Sequence, residues 1–404
     1  MLISNDHYKK LLIPSEEIQE RLKRLQKEMG RHGLEALLVL YRTNYFYLSG
    51  TSQNSILYVP LENEPILFIR RDLGRAREES PLPVILPFQS LKDLPRKIKD
   101  HAGKIPHAIG MELDVLSVED FSRFKKVFEG VTFKNSSPAL MQCRMKKTPF
   151  EIEQIKKAAQ IAQEVFEVGR SLLRLGIREI EFAALFEMEA KKRGHEGLIR
   201  VRGLNFEGYS WHILSGPSGS IVSNAETPAG GTGLSPAFPM GAGWRKIQAH
   251  EPILVDFPIC WNGYISDQSR IYCIGELPEK FVKAYETCRE IEARILKEAI
   301  PGVKCVDIYL SANTLAGDRG YEKGFLGLPG KKAKFVGHGV GLEANEIPVL
   351  GVGQDYPMES GVTLAIEPKI VLPGDGVVGL ENMYLIKDKG FEKLSLMSDD
   401  VFQV

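Results

Sequence analysis

The sequence predicts an α/β N-terminal domain followed by an α+β C-terminal domain, and three observations carry that reading. The chain has 404 residues, 43% of them hydrophobic, which is enough for two cores at roughly 100–200 residues per domain. Its first third alternates short apolar runs with amphipathic segments, as an α/β layer does. Near residue 146 the character changes, and a strong helix start opens a region of helices, long strand-like runs and a hairpin signal. The expected domains are therefore 1–146 and 147–404.

The elements follow in order. Ser15 before Glu16 and Glu17 reads as an N-cap with an acidic first turn; Ile18, Leu22, Leu25 and Met29 recur at helical spacing, and Gly33 can stop the helix. Residues 36–41, 55–60, 65–70 and 83–86 read as strands bounded by turn residues. A helix over 118–127 and a short strand at 131–133 complete the first domain. Thr148-Pro149-Phe150-Glu151 then combines an N-cap, a proline at the first helical position and a glutamate closing a capping box. That helix can run to Leu173, and a second, 179–193, ends at Gly194. Two more are expected over 279–299 and 306–316. Residues 225–244, rich in Gly and Pro and without periodicity, read as a long surface loop or as a wall over a pocket.

Charge and cysteine content narrow the function. Fifty-two basic residues balance 52 acidic ones, against the basic excess of a nucleic-acid-binding protein. No apolar run approaches the length of a membrane helix, and the N-terminus lacks the pattern of a signal peptide. Five cysteines, none in a C-x-x-C pair, disfavour a disulfide framework and fit the cytoplasm.

Three stretches carry chemistry. In residues 253–273, two β-rich runs flank Asn262-Gly263, a strong hairpin signal. With those two residues as the turn, Trp261 faces Tyr264 and Asp256 faces Ser269, so Asp256 and Asp267 share a face as diagonal neighbours about 7–8 Å apart. Two acids so placed repel unless protonated or bridged by cations. In residues 335–348, His338 lies between Gly337 and Gly339, and the glycines allow close backbone approach around the imidazole. In residues 362–386, two further strand runs each hold one acid, Glu367 and Glu381, in apolar company. Buried acids need a metal, a hydrogen-bond network or a proton. Four such acids and a glycine-framed histidine point to a cation site.

In this order and spacing the five residues resemble the pita-bread metallopeptidases: prolidase, aminopeptidase P, methionine aminopeptidase and their relative creatinase. TNYFYLSG (43–50), KTPFEIEQIKKAA (147–159) and SGPSG (215–219) resemble parts of the prolidase N-terminal domain, catalytic-domain entry helix and pocket turn. The resemblance implies a pita-bread (creatinase/aminopeptidase) fold for the C-terminal domain. It implies two divalent ions (Mn, Co, Fe or Zn, with Mn favoured) held by Asp256, Asp267, His338, Glu367 and Glu381. Asp267 and Glu381 would bridge them, and Glu367 would also handle the proton of a metal-bridging water. The substrate would be a short peptide, Xaa-Pro in type, or a small amide, and the assembly a homodimer. Oxygen donors with one imidazole suit such ions, and two ions about 3.5–4 Å apart can activate a water between them.

The sequence departs from the family pattern at three positions. Asn345 stands where the peptidases carry a second histidine, Ser223 where they carry a pocket histidine, and Gly379 where an arginine often precedes the last ligand. Asn345 and Ser223 can hydrogen-bond at a catalytic position but cannot shuttle protons near neutral pH, which sets ordinary Xaa-Pro turnover in question. His212, in a strand-like run, reads as a core histidine. Two alternatives to a peptidase follow: a metal-dependent non-peptidase, either a lyase or another small-molecule hydrolase, and a catalytically retired binding protein on the same fold.

Overall fold

The computed structural model describes residues 6–203 and 212–404. The chain divides into two compact units, Met1–Arg144 with Arg202–Phe206, and Met145–Val201 with Glu207–Val404.

The first unit is built on a six-stranded sheet, in the order Ile85–Pro87, Ile66–Ile69, Ser55–Pro60, Ala36–Val39, Ala108–Met111, Thr132–Asn135. Ala36–Val39 pairs antiparallel with Ser55–Pro60 and parallel with Ala108–Met111. Its residues and those of Ser55–Pro60 are all buried, which is why both segments read as unbroken apolar runs. The first predicted helix runs Ser15–Arg31 with Ile18, Leu22, Leu25 and Met29 inside, but Pro14 rather than Ser15 is its N-cap. The Pro14 carbonyl accepts the Ile18 N–H, the first helical bond, so Ser15 already belongs to the first turn. The run 36–41 ends early at Val39, because Arg42–Ser49 turns into a helix. Ala108–Met111 escaped the sequence reading because it is four residues long with an interior glycine. Gly110 sits opposite Leu37, where a Cβ would come within 2.4 Å of the Leu37 Cδ2.

In the second unit, the Thr148 hydroxyl accepts the Glu151 N–H and the Glu151 carboxylate accepts the Thr148 N–H, closing the capping box at the start of Pro149–Leu172. That helix and Glu179–Lys192 lie on one face of a four-stranded sheet ordered Phe402–Gln403, Ser269–Cys273, Ile253–Asp256, His212–Ser215. Ile253, Val255 and Tyr272 point into this layer, where Phe166, Phe182 and Phe186 meet edge to face. Leu254 and Ile271 point the other way, into a core shared with helices Glu279–Glu298 and Cys305–Asp318 and with a second sheet. The second sheet runs Glu346–Gly351, Phe335–Gly339, Thr363–Ile366, Asn382–Ile386, Phe391–Lys393. Since side chains alternate along a strand, Asp256 shares the face of Leu254.

The hairpin has the predicted register. Asn262 (φ 48°) and Gly263 (φ 80°) both adopt left-handed conformations, as a type I′ turn requires. Trp261 faces Tyr264 and Asp256 faces Ser269. The reading of residues 362–386 needs a correction. Glu367 and Glu381 do not lie within strands but in the breaks after Thr363–Ile366 and before Asn382–Ile386, with the short hairpin Lys369–Leu372 and Gly376–Gly379 between. Pro368 has no N–H to continue a ladder.

Residues 225–244 hold no helix or strand but are folded. The Gly230 and Gly231 N–H groups donate to the Ile221 carbonyl, Gly241 N–H donates to Gly230, and Gly243 N–H donates to the Glu179 carboxylate. Ala229 and Ala242 are buried, while Leu234–Ala237 stand exposed at the tip. All five cysteines are buried, and none is in a disulfide. No helix among the described residues is long and apolar enough to cross a membrane.

Candidate metal centre

The five expected ligands converge, chiefly through strand pairing. His338 pairs with Ala365, and Glu367, two residues on, stands on the same face; the His338 Nε2 lies 3.3 Å from the Glu367 Oε1. His338 Nδ1 is 3.2 Å from the Gly339 carbonyl, which can only accept, so Nδ1 carries the hydrogen and Nε2 faces the site. Ser269 N–H donates to the Glu381 carbonyl and the Glu381 N–H donates back, fixing Glu381 beside the hairpin that carries Asp256 and Asp267. Donor atoms of Asp267, His338 and Glu381, all buried, lie within 4.8 Å of one another.

A sixth side chain of the cluster, Lys369, was missed from the sequence. Its ammonium is 2.6 Å from Glu367 Oε2, 3.1 Å from Glu381 Oε2 and 3.1 Å from Asp256 Oδ2. Glu367 and Lys369 are two apart in extended chain, as are Gly379 and Glu381, and Lys369 faces Gly379 across the short hairpin. The signal was a lysine inside the apolar run LAIEPKIVL, two residues from an expected ligand. A side chain two residues from an inward-facing acid on a strand faces inward as well.

The electrostatics follow from this crowding. Burial and the charge of Asp256 push Asp267 up to about 7. Burial also carries Glu381 well above the carboxylate range, against the pull of Lys369. Burial alone would raise Glu367, yet the Lys369 charge and the His338 hydrogen bond outweigh it and hold the carboxyl down at about 2. Burial opposes a charged His338, but contact with Glu367 and the charge of Asp267 raise its pKa. For Lys369 burial is likewise overcome, by Asp256, Glu367 and Glu381.

Arg270, fully buried, supports the site from behind. Its guanidinium donates to the Glu381 and Ser269 carbonyls at 2.9 and 2.8 Å, to Asn382 Oδ1 at 2.6 Å, and pairs with Asp399 at 3.1 Å. Asn382 in turn donates to Glu292 and Asp399. The backbone that aims Glu381 is thus held by a cation it never meets through its carboxylate.

Comparison with known proteins shows the family. Residues 153–388 match Metallopeptidase family M24, and residues 21–146 match the Creatinase/Prolidase N-terminal domain. The chain belongs to metallopeptidase family M24. An Xaa-Pro dipeptidase of Pyrococcus furiosus is 28% identical over 382 residues, covering 94% of this chain and 98% of that one. The structure of an X-Pro aminopeptidase from Thermotoga maritima superposes with a TM-score of 0.79 at 25% identity, covering 95% of this chain and 99% of the other. An Xaa-Pro dipeptidase from Bacillus anthracis, at 22% identity, gives a TM-score of 0.81 over 96% and 100% of the two chains and so shares the fold. The second unit has the pita-bread fold, and M24 membership makes the chain a hydrolase whose family binds divalent metal ions.

Against the M24 pattern the remaining expected residues sit as follows. Asn345 is exposed. Ser223 is half-buried, and its hydroxyl accepts the Ala225 N–H at 3.3 Å. Among the described residues no hydrogen bond or ion pair ties either one to the carboxylate cluster. His212, read from sequence as a core residue, stands opposite Asp256 in the four-stranded sheet. Burial lowers its pKa, and the charges of Asp256, Lys369 and Glu367 all reach it. The donors Asp267, His338 and Glu381, two carboxylates and an imidazole, fit one M24-type divalent ion. The Asp256–Glu367 side does not fit a second ion in this arrangement, because the Lys369 ammonium contacts both carboxylates.

Proposed function

We propose that this M24 chain is a metal-dependent hydrolase of short peptides, Xaa-Pro in type, or of small amides, with its chemistry in residues 147–404. The observation that carries the reading is the buried triad Asp267, His338 and Glu381 beside a second pair of acids, Asp256 and Glu367. Asp267, His338 and Glu381 would hold a divalent ion, Mn²⁺ before Co²⁺, Fe²⁺ or Zn²⁺, which would supply Lewis-acid polarisation of the scissile carbonyl. The protein's own groups do the rest. Glu367 lies against His338, placed to take a proton from attacking water and return it to the departing nitrogen. Ser223 and Asn345 act as hydrogen-bonding groups toward substrate rather than as proton carriers. In this reading the protein works in the cytoplasm as a homodimer.

The test is release of proline from a panel of Xaa-Pro dipeptides and tripeptides with Mn²⁺, Co²⁺ or Fe²⁺ present. Glu367→Gln is expected to lower kcat by roughly 10²–10⁴-fold. Absence of turnover with every peptide and metal overturns the peptidase reading. A second reading, a non-peptidase acting on another small molecule, is favoured by Ser223 and Asn345 at the histidine positions. Restoring both histidines then creates peptidase activity that the natural chain lacks.

A further inference from the structure

We infer that Lys369 is a tethered cation built into the metal site, standing in for one of two divalent ions and leaving a one-ion centre at Asp267, His338 and Glu381. The inference deepens the hydrolase reading and rests on it for the remaining ion.

The ammonium has the surroundings of a bound metal. It lies 2.6–3.1 Å from carboxylate oxygens brought by three separate segments, through Asp256, Glu367 and Glu381. The lysine side chain is 1% exposed, so water does not share these contacts. An ammonium offers three donors, and here each has a carboxylate. A divalent ion binds carboxylate oxygen at about 2.0–2.2 Å. Placed between Asp256 and Glu367, it would compete for the same oxygens and face a like charge in a medium that screens poorly.

The fold makes room for the lysine stem. Lys369 is directly across from Gly379, where a Cβ would stand 2.7 Å from the Lys369 Cγ, 2.8 Å from its Cα and 2.4 Å from the Pro368 carbonyl oxygen. A side chain at 379 and the lysine stem in its present course exclude each other. The lysine stem thus occupies space that the absence of a side chain at 379 leaves, an absence the Pro368 carbonyl and the Lys369 backbone also require.

The donors that Lys369 leaves open define the remaining site. Neither Asp267 nor His338 is among its ion-pair partners, and Glu381 accepts its hydrogen bond through Oε2, which leaves a carboxylate with a second oxygen. Together these are the three residues whose donor atoms cluster.

Metal content decides the matter without reference to catalysis. The full-length protein, loaded with Mn²⁺ and dialysed, is expected to hold about one ion per chain and to give an uncoupled single-ion EPR spectrum. Lys369→Ala and Lys369→Gln, purified with Mn²⁺ present, are expected to gain about one further ion and show exchange coupling between neighbours about 3.5–4 Å apart. An anomalous map of the unmutated protein, which needs no variant to fold, should show a single peak at the triad. Two ions in the unmutated protein overturn the inference and leave the hydrolase reading intact. No ion in the unmutated protein with a gain in the variants overturns the one-ion centre and the metal-hydrolase reading with it. No ion in any of the three proteins overturns both.

Discussion

Two buried cations in the second unit, Arg270 and Lys369, show opposite uses of the same charge. Arg270 is surrounded mainly by neutral acceptors, the carbonyls of Ser269, Glu381 and Ser398 and the amide oxygen of Asn382, with Asp399 as its carboxylate partner. Its bonds are nearly saturated and hold backbone in place. Lys369 meets three carboxylates at once, so the acids outnumber the charge that serves them. A cation among carbonyls is a strut; a cation outnumbered by carboxylates marks a place where more positive charge is wanted.

The two cations are expected to differ most on removal of Lys369. Lys369→Met removes the ammonium and leaves three acids facing one another, and the metal-free protein should lose about 5 kcal/mol. Mn²⁺ should return most of that loss in a thermal melt, because the ion supplies the missing charge. Arg270→Met should cost about 3 kcal/mol through unsatisfied acceptors, and Mn²⁺ should not restore it. Equal rescue of both variants by Mn²⁺ would erase the distinction.

A third buried base sharpens the contrast by remaining neutral. His195 is 4% exposed, its Nδ1 accepts the Cys260 N–H, and burial lowers its pKa to about 4. The unfolded chain takes up this proton near 6.5 and the folded chain only near 4, so stability rises with pH across that window. The full effect approaches about 3 kcal/mol, and His195→Asn should flatten this acid limb in urea melts at a series of pH values. Smallest is Gly379→Ala, where the new methyl crowds the Pro368 carbonyl and the Lys369 stem at an expected cost of about 1–3 kcal/mol. Melting temperature measures it, and a change within error would show that the short hairpin can move aside.

How much of this was legible depends on whether the signal was local. The Asn262-Gly263 turn sets its own register, so the facing of Asp256 with Ser269 could be counted from the sequence. The capping box at Thr148 is likewise contained in four residues. Glu367 and Glu381 could be seen as acids in apolar runs, but not as residues at strand breaks, because the break depends on how two sheets join. Lys369 was hidden for the same reason. Its role follows from a pairing with Gly379 and from a carboxylate, Asp256, more than a hundred residues away in sequence. The sequence showed Gly379 only as an absent arginine; the space it leaves belongs to the fold.

With its five cysteines buried, the folded chain is expected to react slowly with thiol reagents. All are buried, and burial raises the pKa of Cys260, Cys273, Cys288 and Cys305, which leaves little reactive thiolate. A cysteine introduced at Ala237, on the exposed tip of a loop whose base is pinned to Ile221 and Glu179, would be the single site open to a fluorophore. The native thiols would then serve as clocks, each reacting only when its own part of the molecule opens. One maleimide probe and one mass spectrometer would time the two units separately, through Cys143 in the first and the other four in the second.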